Sequence, residues 1–161
     1  MKKIFTIVLL GAFCMVNAQA FKGKGDKKIN IGMTFQNGGS GILGSADFGL
    51  GENFSIGLQS SYLLGGSQID KVDTEYRFDA KARFNANLGN VLNVSPKLDV
   101  YPGLNLGLKN FGGHLGARYF FTNGFGVFTE FSVPFAKYDS EASSKYNNGS
   151  SFTIGASFNL D

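Results

Sequence analysis

The strongest constraint in this sequence is a period of two. From Thr74 to Leu88, Tyr76, Phe78, Ala80, Ala82, Phe84 and Ala86 alternate with Glu75, Arg77, Asp79, Lys81, Arg83 and Asn85, so an extended chain carries every charge on one face. The same alternation recurs in Lys28 to Gln36, where Ile29, Ile31, Met33 and Phe35 share a face, and in Ile42 to Leu50 and Phe54 to Leu64. It returns in Leu98 to Leu108, His114 to Phe121, Phe125 to Lys137 and Ser150 to Leu160, with clusters of Gly, Asn and Ser between. No segment after residue 20 carries a helical period. The composition agrees, with 23 Gly, 17 Phe and six Tyr against three Pro and no Trp. Eight evenly spaced segments predict an all-β fold, an eight-stranded antiparallel up-and-down barrel, because closure leaves no exposed strand edge. Pro102 lacks a ladder donor and predicts a bulge or a late start in segment five.

The N-terminal end reads differently. Met1, Lys2 and Lys3 precede the apolar run Ile4 to Val16 and then Asn17-Ala18-Gln19-Ala20, the order of a secretory signal with cleavage after Ala18 or Ala20. The thirteen-residue run is shorter than the roughly 17–25 residues an α-helix needs to cross a bilayer. The organisation expected is therefore a signal peptide over 1–18, a flexible basic leader over 19–27 and a barrel domain over 28–161. Cys14 leaves with the signal, and Phe13 stands where lipidation needs a small residue. Losing Lys2 and Lys3 lowers the formal charge from +3 to +1, which carries no nucleic-acid message.

Alternation alone does not say which face is outside. Three features place the apolar face in lipid, making this a transmembrane barrel. First, Glu75, Arg77, Asp79, Lys81 and Arg83 mix signs and share parity with Asp47, Arg118 and Glu130 on other segments, as a packed polar interior requires. In lipid each Arg or Lys would cost roughly 2–4 kcal/mol at the midplane. Second, the three-residue links after segments two and six contrast with the long polar stretches Gly65 to Asp73 and Asp139 to Gly149, as periplasmic turns contrast with surface loops. The nine-residue link after segment four is the exception. Third, Thr153, Gly155, Phe158 and Leu160 form a polar-glycine-apolar ending that resembles the C-terminal β-signal read by the outer-membrane assembly machinery, one residue short of the terminus.

Ala82-Arg83-Phe84-Asn85, Asp99-Val-Tyr-Pro-Gly-Leu-Asn-Leu-Gly107 and His114-Leu-Gly-Ala-Arg-Tyr-Phe-Phe-Thr-Asn-Gly-Phe-Gly126 followed by Glu130 look like the small outer-membrane β-barrel proteins common in Bacteroidota. Pro102 departs from the small residue expected there. The resemblance implies an outer-membrane barrel, mostly without assigned activity.

Chemistry is sparse. His114 is the only histidine, which excludes a multi-histidine metal site, and no serine can be placed beside it for a triad at the extracellular rim. Asp47, Arg77, Asp79, Lys81, Arg83, Arg118 and Glu130 read as a structural network in the lumen, since side chains fill an eight-stranded barrel; a selectivity lining is the alternative. The aromatic residues Tyr62, Tyr76, Phe135 and Phe152, and at the other end Phe54, Phe84, Phe121, Phe125 and Phe158, fit interfacial girdles. The function expected is structural or surface-interacting, without catalysis, metal or cofactor. Its partners would be outer-membrane lipid, the assembly machinery during biogenesis and a surface or membrane protein not identified by sequence. A narrow ion or small-solute channel, and a lipid-modifying enzyme using His114, are the competing readings.

Overall fold

The computed structural model describes residues 19–66, 74–138 and 146–160. The segment expected to be a signal peptide, residues 1–18, and most of the two long loops lie outside the described residues. The eight strands are β1 Lys27–Gln36, β2 Gly39–Gly49, β3 Phe54–Gly65, β4 Phe78–Ala86, β5 Leu98–Gly107, β6 Asn110–Phe120, β7 Phe125–Lys137 and β8 Ser151–Asn159. Each pairs antiparallel with its sequence neighbour, and β1 pairs with β8 to close the barrel. Two single-turn helices, α1 Thr74–Arg77 and α2 Gly89–Leu92, lie in the connections. Strands of 9 to 13 residues match the roughly 9–11 needed to cross a hydrocarbon core at a tilt.

The faces sort by the period of two. Ile31, Met33, Ile56, Leu58, Leu106 and Ile154 point outward and are exposed, whereas Asn30, Asp47, Asp79, Arg83, Arg118 and Glu130 point inward and are buried. This inverts the usual order of a water-soluble protein. It is the arrangement lipid demands, because the closed ladder satisfies the backbone and apolar side chains meet the acyl chains.

Several boundaries differ from the sequence expectation, each for a local reason. The turn after β1 is tighter than Asn37 to Gly41: Gln36 pairs with Gly39, and only Asn37 and Gly38 turn, with Gly38 at φ 98 where a side chain would be strained. Segment four begins at Phe78, not Thr74. Arg77 donates from Nε to the Leu63 carbonyl (3.0 Å) and from Nη2 to that of Leu64 (3.3 Å), taking the acceptors at the end of β3 that a longer β4 would use. β6 begins four residues before His114, because Asn110 to Gly113 pair with β5 and β7 despite their two glycines. β5 runs through Pro102 without a bulge against β6, but its ladder to β4 starts only at Gly103, so the proline stands just beyond the last rung.

The leader differs most. Of the leader expected to be flexible over 19–27, Ala20 and Phe21 are buried and Lys27 opens β1. The Ala20 N–H donates to the Pro96 carbonyl (2.7 Å), that of Gly25 to Gly49 (2.9 Å), and that of Gly49 back to Asp26 (2.7 Å). The segment straps the mouth at the end of the barrel where β1 begins and β8 ends.

Candidate functional site

The interior is built around one rung. Asp47 on β2, Gly57 on β3 and Arg83 on β4 are register partners in succession. A Cβ on Gly57 would run into the Asp47 carboxylate and press on the Arg83 side chain, so its absence lets the two groups meet over β3. Arg83 Nε lies 3.3 Å from Asp47 Oδ1, and Nη1 donates to Gln59 Oε1 (2.7 Å). The guanidinium also reaches β7, where Nη2 and Nη1 donate to the two oxygens of Glu130 (2.5 and 3.4 Å) in a bidentate fork.

Arg118 on β6 makes the second crossing. Its Nη1 donates to Asp47 Oδ2 (3.4 Å) on β2, half the ring away, and its Nε lies 3.2 Å from Asp99 Oδ2 on the neighbouring strand. Its guanidinium sits 4.1 Å from the centre of the Tyr101 ring, and Arg83 lies on the same ring at 5.9 Å. Asp47 thus bridges two arginines. All of these side chains are buried. Removing such ions from water costs several kcal/mol each, a cost that multiple partners offset only when geometry is good; each arginine meets two carboxylates, but Asp47 Oδ1 and Arg118 Nε and Nη2 make no hydrogen bond.

Neutral groups complete the lattice. His114 is placed to donate from Nε2 to Asn85 Oδ1 (2.7 Å) and to accept at Nδ1 from Asn105 Nδ2 (3.4 Å), the tautomer that satisfies both neighbours. Ser157 Oγ donates to Asn30 Oδ1 (2.7 Å), and Asn30 Nδ2 to Ser45 Oγ (3.0 Å), joining β8, β1 and β2 across the closure.

The seven residues expected to form one network fall into three places. Asp47, Arg83, Arg118 and Glu130 form the centre. Asp79 and Lys81 pair with each other (3.6 Å) nearer the long-loop end, where Lys81 also donates to Asn110 Oδ1 (3.1 Å). Arg77 is outside the lumen: it belongs to α1 and lies over the Tyr62 ring at 5.3 Å. His114, expected at the rim, stands instead in mid-lumen beside Arg83, because β6 starts earlier than its glycines suggested. Asp99, Tyr101, Asn85 and Gln59 were not assigned to the network, although their parity places them inward. Of the C-terminal residues, Thr153 is buried in the lumen, Gly155 lies where a side chain would meet the backbone of Ile31 and Gly32, Phe158 packs on Phe125 (5.6 Å between ring centres), and Leu160 is exposed.

Both mouths carry a cover. At the terminus end Phe21 and Phe120 are buried, with the Lys28 ammonium 5.9 and 5.0 Å from their ring centres and 2.8 Å from Asp26. At the other end Asn147 is held by Gln36 (3.2 Å), Ser61 (3.4 Å) and the Arg77 carbonyl (2.7 Å), while Asn148 accepts from Asn110 (2.9 Å). Beneath Asn147 lies a polar cavity of about 20 Å³ bordered by Thr34, Gln59, Ser61, Asp79 and Lys81. Among the described residues no three His, Cys, Asp or Glu side chains are grouped as metal ligands.

Solved structures share this architecture. A de novo designed transmembrane β-barrel superposes with a TM-score of 0.60 at 12% identity, covering 86% of this chain and 98% of the design. The N-terminal β-barrel domain of Pseudomonas aeruginosa OprF gives 0.57 at 13% identity, covering 86% and 100%. These likenesses establish the fold, a closed eight-stranded antiparallel β-barrel. No curated protein matches the chain. The model of a family of unknown function, DUF6646, matches residues 11–160, and the chain belongs to that family.

Proposed function

We propose that this chain is exported by its N-terminal signal, inserted in the outer membrane of a Gram-negative bacterium, and kept there as a closed, non-conducting barrel whose role is structural or carried by its surface loops, without catalysis. The observation that carries the proposal is the pair of crossings from Arg83 to Glu130 and from Arg118 to Asp47, which tie opposite walls of the lumen together around Tyr101. Side chains so partnered fill the section through which a solute would pass, and His114 is engaged on both ring nitrogens. The end where β1 begins and β8 ends is the periplasmic one in this reading, and the long connections from β3 to β4 and from β7 to β8 face outward. The ending Thr153, Gly155, Phe158, Leu160 supports handling by the outer-membrane assembly machinery. The block from Gly116 to Phe120 supports kinship with the small barrels of Bacteroidota.

The test is conductance in planar bilayers of protein whose folding is verified by a heat-dependent mobility shift of the outer-membrane fraction. Silence is the expected result. Steady unit conductance from the folded parent would replace the proposal with a narrow channel lined by the same charged residues.

A further inference from the structure

The two mouths are closed by different means. At the end where β1 begins, the leader is tied by backbone hydrogen bonds and by the buried side chain of Phe21. At the other end the cover is Asn147-Asn148-Gly149, which carries no apolar side chain. Its hold is a set of hydrogen bonds on one residue. Asn147 Oδ1 accepts from Gln36 Nε2 (3.2 Å) and Ser61 Oγ (3.4 Å), Nδ2 donates to the carbonyls of Arg77 (2.7 Å) and Tyr76 (3.4 Å), and the Asn147 carbonyl accepts from Asn110 Nδ2 (3.0 Å). β1, β3, β6 and α1 thus grip a single asparagine. It sits at φ 56, a left-handed conformation that costs a residue with a Cβ, and nothing stands within 4 Å of where a Cβ would lie on Gly149, the link to β8.

Closing this mouth takes water from groups that do not recover all their hydrogen bonds. Ser61 and Asp79 are register partners, so Asn147, bonded to Ser61, sits over the rung that carries Asp79. Asp79 is buried and neither of its oxygens accepts a hydrogen bond. Its pairing is ionic: Lys81 Nζ lies 3.6 Å away, beyond hydrogen-bond reach, and the Lys109 charge also acts on it. Asn148 Nδ2 is likewise buried without an acceptor. Groups left in this way oppose closure, and the cover has no apolar side chain of its own to offset them, so it opens at low free energy. The space beneath is short. Gln59 borders it, and behind Gln59 the Arg83 guanidinium, bonded to Gln59 and forked on Glu130, bars the lumen.

We infer that Asn147-Asn148-Gly149 is a lid over a dead-end vestibule, latched by the Asn147 carboxamide and hinged at Gly149. Open, it admits water and small polar solutes to Asp79 and Lys81, and the Arg83–Glu130 fork stops them there. The lid follows from the geometry of the mouth. That the vestibule faces the outside of the cell rests on the orientation proposed above.

The test is the rate at which single cysteines react with a small neutral methanethiosulfonate in the folded, detergent-solubilised protein, each variant first checked for the heat-dependent mobility shift. Cys14 is the only cysteine of the chain, so a Cys14→Ser background leaves one introduced thiol. Thr34→Cys reports from the vestibule, since Thr34 is buried and borders the cavity beneath Asn147. Ser55→Cys reports from beyond the fork, where Ser55 is buried between Asn85 and Asn87. Thr34→Cys should react faster than Ser55→Cys with the lid intact, and Asn147→Ala should speed it roughly tenfold or more, the weight of one or two net hydrogen bonds. Asn147→Asp should act in the same direction, because a carboxylate cannot donate to the Tyr76 and Arg77 carbonyls. Gln36→Ala removes one donor from the wall and should give a smaller acceleration, which keeps the test open if an Asn147 variant fails to fold. Thr34→Cys as inert as Ser55→Cys, or a rate that no latch variant changes, overturns the lid and leaves the closed-barrel reading standing. Reaction of Ser55→Cys in the Asn147→Ala background, together with conductance, overturns the dead end and that reading with it.

Discussion

The two faces of the same strands obey different rules. Leu63 and Leu64 are neighbours on β3, yet the first is fully buried in the lumen and the second is 56% exposed on the lipid side. Outward positions need only be apolar, because lipid is fluid and fits whatever shape it meets. Inward positions need particular partners. Large lumen side chains stand opposite glycines: Tyr101 opposite Gly116, Phe128 opposite Gly155, Arg83 opposite Gly57. A Cβ on Gly116 would strike the Tyr101 ring, and one on Gly155 the backbone of β1. The lumen therefore fixes the register, since a slip of one residue would turn Arg83, Glu130 and Arg118 into lipid and their apolar neighbours inward. The lipid face supplies transfer free energy with little specificity.

The comparison breaks most visibly at the arginines. Arg83→Ala leaves Asp47 and Glu130 buried without their shared cation, and should cost about 3–5 kcal/mol. Urea unfolding of protein reconstituted in phospholipid vesicles, followed by the mobility of the folded band, measures it. A loss under about 1 kcal/mol, the value of an exposed pair, would show that the crossing contributes little. The reverse experiment places the same residue outside. Leu58 lies at the middle of β3 and is 67% exposed, so Leu58→Arg should cost roughly 2–4 kcal/mol by putting an unpartnered guanidinium in the hydrocarbon. A neutral outcome, read in the same unfolding assay, would mean that this face is not in lipid.

This contrast also explains what could be read from the sequence. Alternation and strand number were legible from the period of two and the spacing of its segments, and the interior was announced by Lys81, Arg83, Asp47, Arg118 and Glu130, charges of both signs that share one parity. The centre of the network was only half legible. Which carboxylate meets which guanidinium depends on stagger around the barrel and on glycines that make room, and neither leaves a local mark. Asp99 and Tyr101 had the right parity, but nothing near them in sequence says that Arg118 lies opposite. Arg77 misled because the alternation continues past the point where the ladder stops: only a three-dimensional fact, its hydrogen bonds to Leu63 and Leu64, removes it from the strand. The glycines of Phe111-Gly-Gly-His114 misled in the other direction, reading as a loop where the absence of side chains serves close packing within β6 and β7. The leader was read by its charge and its glycines, whereas Phe21 and Asp26 were the residues that dock it.

The finest test compares one truncation on both faces. Leu64→Ala removes three carbon atoms from the lipid side, and acyl chains close over the gap, so the loss is confined to the transfer of those atoms. Leu63→Ala removes the same atoms from a site with no fluid to refill it, in a wall held on one side by the ladder to Gly41 and on the other, one residue past the last rung to Phe78, by the Arg77 guanidinium on its own carbonyl. It loses the transfer contribution together with a cavity contribution that scales with the residual void. The lumen variant should therefore be less stable than its lipid-facing neighbour by about 1–2 kcal/mol, in the same vesicles and the same assay. Equal losses would mean that the interior at this level collapses as easily as lipid flows, and that the specificity argued for the lumen is confined to its charged centre.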